Sequence, residues 1–122
     1  MFDHIGFEVA DLARAARFYD AVFHALGLRR MFASEHAVAW GDNEPQLWVV
    51  VRGLPAAPGY GHVALRASGR VAVDAAHAAG LAYGGTDAGA PGPRPQYGRG
   101  CYAGYLRDPD GLRVELVSRT RR

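Results

Sequence analysis

Two histidines and one glutamate stand at matching places in strand-like runs. His4 opens His4-Ile5-Gly6-Phe7-Glu8-Val9, and His62 opens His62-Val63-Ala64-Leu65-Arg66. Glu115 lies inside Leu112-Arg113-Val114-Glu115-Leu116-Val117. Successive side chains of a strand point to opposite faces. In the first run Ile5, Phe7 and Val9 share one face, and His4, Gly6 and Glu8 share the other. By the same rule His62 opposes Val63 and Leu65, and Glu115 opposes Val114 and Leu116. The apolar set of each strand can cover a helix while the polar set faces away from it. A sheet curled around that second surface would gather His4, His62 and Glu115. Two imidazoles and a carboxylate suit Fe(II), Mn, Ni, Zn or Co, and three protein ligands leave room for substrate or water.

Other side chains extend the candidate site. Glu8 shares a face with His4, and Tyr102 sits on a later strand-like run with Leu106; either can act as acid or base beside a metal. Arg66 shares a face with His62. Arg94, Tyr97 and Arg99 lie in a stretch rich in Gly and Pro, where the guanidinium forks are placed to grip an anionic substrate. Cys101 has the parity opposite to Tyr102 and reads as an inert buried thiol. His24 and His77 fall in helical segments and His36 near a turn, so solvated faces are expected for all three.

The elements that must position these groups repeat. After the first strand, Asp11 reads as a helix N-cap. Leu12, Ala15, Tyr19, Val22, Phe23 and Leu26 then recur at helical spacing, and Gly27 reads as the stop. Leu28 to Phe32, Ala37 to Trp40 and Gln46 to Arg52 are strand candidates, the last holding Trp48 and three consecutive valines. A Gly/Pro-rich linker covers residues 53–60. The order then recurs: a strand from His62, a helix capped by Ser68 and ended by Gly80, a long loop from Thr86 to Gly100 and a strand from Cys101 to Leu106. A tight Asp108-Pro109-Asp110-Gly111 turn and a last strand to Ser118 follow. The long loop is expected to border the site and control access to it. The halves, about 1–52 and 61–118, are too short to be separate stable domains and should share one core within a single domain, 1–122.

Composition narrows the class. The 122 residues are 49% hydrophobic, enough for one modest core. No apolar stretch approaches about 18 residues, so no membrane-spanning helix is expected. The start Met1-Phe2-Asp3-His4 lacks a secretory layout, and a single cysteine permits no internal disulfide; both favour a cytoplasmic location. All 14 basic residues are arginine, yet the net charge is only +2. The arginines are scattered, apart from the tail starting at Arg119, so nucleic acid is not an expected partner.

The layout resembles the vicinal oxygen chelate superfamily, which includes glyoxalase I, fosfomycin resistance enzymes, bleomycin resistance proteins and extradiol dioxygenases. Asp3-His4-Ile5-Gly6, Val9-Ala10-Asp11-Leu12 and Arg17-Phe18-Tyr19 are similar to the family's first module. Gly61-His62-Val63-Ala64 resembles the start of its second module, and Asp108-Pro109-Asp110-Gly111 with Val114-Glu115-Leu116 resembles its C-terminal signature. The resemblance implies an α+β fold: two βαβββ modules forming a curved, open mixed sheet around a central pocket. It implies a divalent metal on His4, His62 and Glu115, a small-molecule substrate or drug as partner, and a homodimer. Lyase, isomerase, thiol transferase and ring-cleaving dioxygenase chemistries all use this scaffold, and a sequestering protein of the bleomycin resistance type is the alternative. Glyoxalase I has a fourth ligand on its fourth strand. Here Trp48 stands nearest that position, and an indole offers only a donor N–H. The resemblance therefore implies a three-ligand site walled by Trp48.

Overall fold

A computed structural model describes residues 1–57 and 59–119. The arginines of the tail beyond Arg119 lie outside the described residues. The first half runs β1 (Ile5–Glu8), α1 (Leu12–Ala25), β2 (Arg29–Ala33), β3 (Ala37–Gly41) and β4 (Pro45–Val50). The second runs β5 (His62–Arg66), α2 (Arg70–Ala82), β6 (Thr86–Pro93), a 3-10 turn at Pro95–Tyr97, β7 (Tyr102–Arg107) and β8 (Arg113–Ser118). Each half is a βαβββ unit. The sheet orders are β1-β4-β3-β2 and β5-β8-β7-β6, with β1∥β4 and β5∥β8 parallel and the remaining pairs antiparallel. The result is an α+β fold of two open mixed sheets. β1 and β5 each end their sheet. No described helix is long and apolar enough to cross a membrane.

Both helices form for reasons written in their residues, but their ends differ. Asp11 takes an extended conformation and its carboxylate accepts the Arg14 N–H at 3.0 Å, which satisfies one orphan donor of α1. Gly27, at φ +80°, follows α1 in the left-handed region that favours glycine. α2 begins after Gly69, not after a Ser68 cap, and Gly69 supplies no side-chain bond. Nor does Gly80 end α2: it lies inside the helix. A Cβ there would overlap Leu106 and press on Phe18 and Val22, so glycine lets α2 approach both β7 and α1.

One core spans the two halves. Phe18, Tyr19, Val22, Trp40 and Val49 of the first half cluster with Val73, Ala76, Leu106, Val114 and Leu116 of the second. Trp40 stacks on Phe23 with centroids 5.7 Å apart and tilts against Tyr19 at 5.5 Å. The Asp108-Pro109-Asp110-Gly111 turn locks the halves together. Asp108 accepts the N–H groups of Asp110 and Leu112 at 2.9 Å each and the Tyr19 hydroxyl of α1 at 2.7 Å. Asp110 accepts the Ala10 N–H and an Arg14 guanidinium N–H. Burial, offset in part by these bonds, raises the Asp108 pKa, and the buried Tyr19 hydroxyl is raised well above its usual value by burial and by Asp108.

Two sequence expectations are corrected here. Residues 86–93 are not a loop but the edge strand β6. Its ladder with β7 breaks register between Asp87 and Gly89 and again between Gly89 and Gly92. An edge strand tolerates Pro91 and Pro93 because its outer side needs no ladder bond. His77 is not solvated. It is 6% exposed, and its Nε2 lies 3.0 Å from an Asp87 oxygen and 3.2 Å from the Tyr105 carbonyl, tying α2 to the β6–β7 edge.

Candidate functional site

The site is built on the sheet faces that point away from the helices. In the second half, register fixes what shares that face. His62 pairs with Arg113 and Ala64 with Glu115 across β5–β8, while Tyr105 pairs with Glu115 across β7–β8. Paired residues project to the same side. His62 Nε2 lies 3.3 Å from a Glu115 carboxylate oxygen; the His62 side chain is 48% exposed and that of Glu115 14%. Two neighbouring ligands at about 2.1 Å from one ion stand roughly 3.0–3.4 Å apart, so this spacing fits a shared metal. Imidazole with carboxylate is also a donor set that borderline divalent ions accept. Tyr105 has its pKa raised by burial and, next, by the charge of Glu115. Its ring lies 4.5 Å from the Arg113 guanidinium carbon.

The first half presents a different surface. Gly6 pairs with Trp48 across β1–β4, and a Cβ on Gly6 would meet the Trp48 Cβ at 3.7 Å. Trp48 packs on Phe32 with centroids 5.1 Å apart and meets the His4 ring edge-on at 6.4 Å. A register break between Arg30 and Phe32 turns β2 over, so that Arg30 reaches Asp20 on α1 while Phe32 pairs with Ala39 on the Trp48 face. His4 precedes β1 and its Nδ1 lies 2.6 Å from Asp3. Between the free edges of β1 and β5 runs a cleft of about 470 Å³ lined by His4, Gln46 and His62 together with Phe2, Ile5 and Val63. His4 and His62 thus border one cleft, and His62 meets Glu115. Among the described residues, however, no three ligand-type side chains are grouped as a metal would need.

The remaining predicted residues separate into three kinds. Glu8 is on the His4 face, but its carboxylate accepts the Arg52 N–H at 2.6 Å, the Arg52 Nε–H at 2.9 Å and the Leu54 N–H at 3.4 Å. The Arg52 backbone bond leads in holding its pKa below the ordinary value, so Glu8 anchors the chain leaving β4. Tyr102 is on the other face from the one expected. Residues 102, 104 and 106 pair with Ser118, Leu116 and Val114, which face α2, and the Tyr102 hydroxyl donates to Asp74 of that helix at 2.6 Å. That bond leads in raising its pKa. Alternation along β7 is as read; the apolar Leu106, fully buried, was the signal for which side is the core. Tyr105, rather than Tyr102, holds the place beside Glu115. Cys101 is buried as expected, in a small cluster with Ala103 and Val117.

Of the predicted arginines, Arg66 is on this face and Arg94 lies beside it. Arg66 continues β5 two residues beyond Ala64 and is exposed. Arg94 donates to the Ala90 carbonyl at 2.8 Å, and its guanidinium carbon lies 5.9 Å from the Tyr105 ring. Tyr97 is exposed, and its carbonyl accepts from Arg119. Arg99 is exposed in the turn before β7.

Comparison with known proteins places this geometry in context. The profile of the Glyoxalase/Bleomycin resistance protein/Dioxygenase superfamily matches residues 1–116. A glyoxalase/bleomycin resistance protein from Albidiferax ferrireducens T118 is 33% identical and superposes with a TM-score of 0.86, covering 97% of this chain and 98% of its own. A glyoxalase-related enzyme from Fulvimarina pelagi, at 23% identity and TM-score 0.77, covers 97% of this chain and 87% of its own. A lactoylglutathione lyase from Agrobacterium tumefaciens, also 23% identical, has a TM-score of 0.68 with 97% and 92% covered. These last two likenesses are of fold alone. No protein of curated function matches the sequence.

Proposed function

Because the chain belongs to the glyoxalase/bleomycin resistance protein/dioxygenase superfamily, we propose that it is a metal-dependent enzyme acting on a small substrate with neighbouring oxygens. The observation that carries this reading is the His62–Glu115 pair, set 3.3 Å apart on adjacent parallel strands. His62 and Glu115 would hold the ion, with His4 as third ligand. When bound, such an ion supplies Lewis-acid stabilisation of an oxyanion or enolate. Tyr105, kept protonated through the neutral range, offers a hydrogen-bond donor beside Glu115. Trp48 and Phe32 wall the apolar side. Glyoxalase I chemistry with four protein ligands is not part of the proposal, because Trp48 occupies the place that matches Glu115.

A homodimer fits the same reading. β1 and β5 end their sheets and flank the cleft, and unpaired edges invite a further strand. A second copy would then bring its own His4 to the His62–Glu115 pair. A cytoplasmic site of action accords with the single, buried thiol.

Titration of the full chain with Co2+, followed by visible absorption, tests the metal site. The expected result is uptake that His62→Ala and Glu115→Gln abolish. Mixing His4→Ala chains with His62→Ala chains should restore part of the uptake if the ligands come from two copies. The second reading is sequestration, favoured by the Trp48–Phe32 aromatic wall. A chain that takes up no Co2+, Mn2+ or Ni2+ yet binds an aromatic drug would establish it.

A further inference from the structure

Resting on that reading, we propose that the substrate also carries an anionic group, a carboxylate or a similar oxyanion, held by Arg113 and Arg66 beside Tyr105. Arg14, Arg30 and Arg52 are matched to Asp110, Asp20 and Glu8. The other nine described arginines, Arg66, Arg94 and Arg113 among them, are in none of the ion pairs among the described residues. Of these nine, Arg66, Arg94 and Arg113 lie around the face that carries His62, Glu115 and Tyr105. Arg113 is the register partner of His62 and is two residues from Glu115; Arg66 is on the same side of β5 as His62. Arg94 is fixed by the Ala90 carbonyl and shares the Tyr105 ring with Arg113, at 5.9 and 4.5 Å.

The carboxylate of that face, Glu115, is already engaged by His62. The face therefore carries more guanidinium than carboxylate, close to the proposed ion. Arg113 rests on an aromatic ring without being bound by a carboxylate, so its N–H fork stays available while the ring restricts where it can point. An ionised oxyanion answers that arrangement; a neutral amide or alcohol does not. A charge-assisted bond of this kind is worth on the order of tenfold in affinity.

The test compares two probes of one shape, naphthalene-2-acetate and naphthalene-2-acetamide, on the Co2+-treated full chain by tryptophan fluorescence. The acid should bind at least about tenfold more tightly than the amide. In an Arg66→Gln/Arg113→Gln chain the preference should fall to roughly twofold or less, while Co2+ uptake stays as in the parent. An Arg17→Gln/Arg29→Gln chain loses the same charge elsewhere and should keep the preference. Equal binding of acid and amide overturns the proposal, as does binding of neither. So does a preference that survives the first double variant or vanishes equally in the second. Acid preference without Co2+ uptake would sink the metal reading and leave the anion site standing; uptake without preference would do the reverse.

Discussion

Gly6 pairs with Trp48 in the first half, and Ala64 pairs with Glu115 in the second. Each strand residue stands two places after its opening histidine. The same backbone position thus holds an indole in one unit and a carboxylate in the other. The neighbours follow suit. Around Trp48 are Phe32 and a glycine, with His4 turned to Asp3; around Glu115 are His62, Tyr105 and Arg113. The helix ends differ as well, since Asp11 caps α1 with its side chain and Gly69 does not cap α2. A repeated topology evidently fixes where side chains project without fixing what they do. One face is suited to shape and stacking, the other to charge and ligation.

The largest expected effect tests that division directly. His62→Ala should weaken Co2+ binding by at least about 100-fold, the upper end of what even an outer-shell partner is worth. Trp48→Glu, measured by the same titration, should strengthen it by giving the first half the carboxylate that the second has. If Trp48→Glu leaves Co2+ affinity unchanged, the two positions do not face one ion. Next in size is the lock between halves. Asp108→Ala leaves the N–H groups of Asp110 and Leu112 and the Tyr19 hydroxyl unmatched. It should lower stability by roughly 2–4 kcal/mol in urea unfolding, against about 1 kcal/mol for Tyr19→Phe. Smaller still is the cap of the first helix: Asp11→Ala should remove about 1 kcal/mol. Smallest is its mirror, Gly69→Ser, expected to add a few tenths of a kcal/mol by giving α2 what α1 already has. A loss on Gly69→Ser would mean that the difference between the helix ends is required by packing.

Much of this frame was legible because the signals were local or strictly periodic. The alternation in β5 and β8 put His62 and Glu115 on the face away from α2, and Asp11 announced α1. β6 was hidden because Gly89, Pro91, Gly92 and Pro93 carry loop chemistry, and only pairing with β7 makes them a strand. Tyr102 went to the wrong face because alternation has no sign until one residue is anchored; Leu106 under α2 supplies it. Glu8 looked free because its partners, Arg52 and Leu54, are reached only once β1 lies beside β4. Gly80 looked like a stop because close approach of Leu106, Phe18 and Val22 is a property of the packed chain. His4 and Asp3 are adjacent in sequence, yet nothing in their order says that the ring turns toward Asp3 rather than toward His62.

The hydrogen bond between Tyr19 and Asp108 joins residues 89 positions apart, and the Ala10–Asp110 bond joins residues 100 apart. Contacts of such high sequence separation form only after a long segment has been closed, which slows folding. They also couple the melting of the two units. Separating the halves would strip α1 and α2 of their shared core and leave the Tyr19 hydroxyl and Asp108 without each other. The chain should therefore unfold in a single cooperative transition, with amide protons of α1 and β8 exchanging at the same global rate.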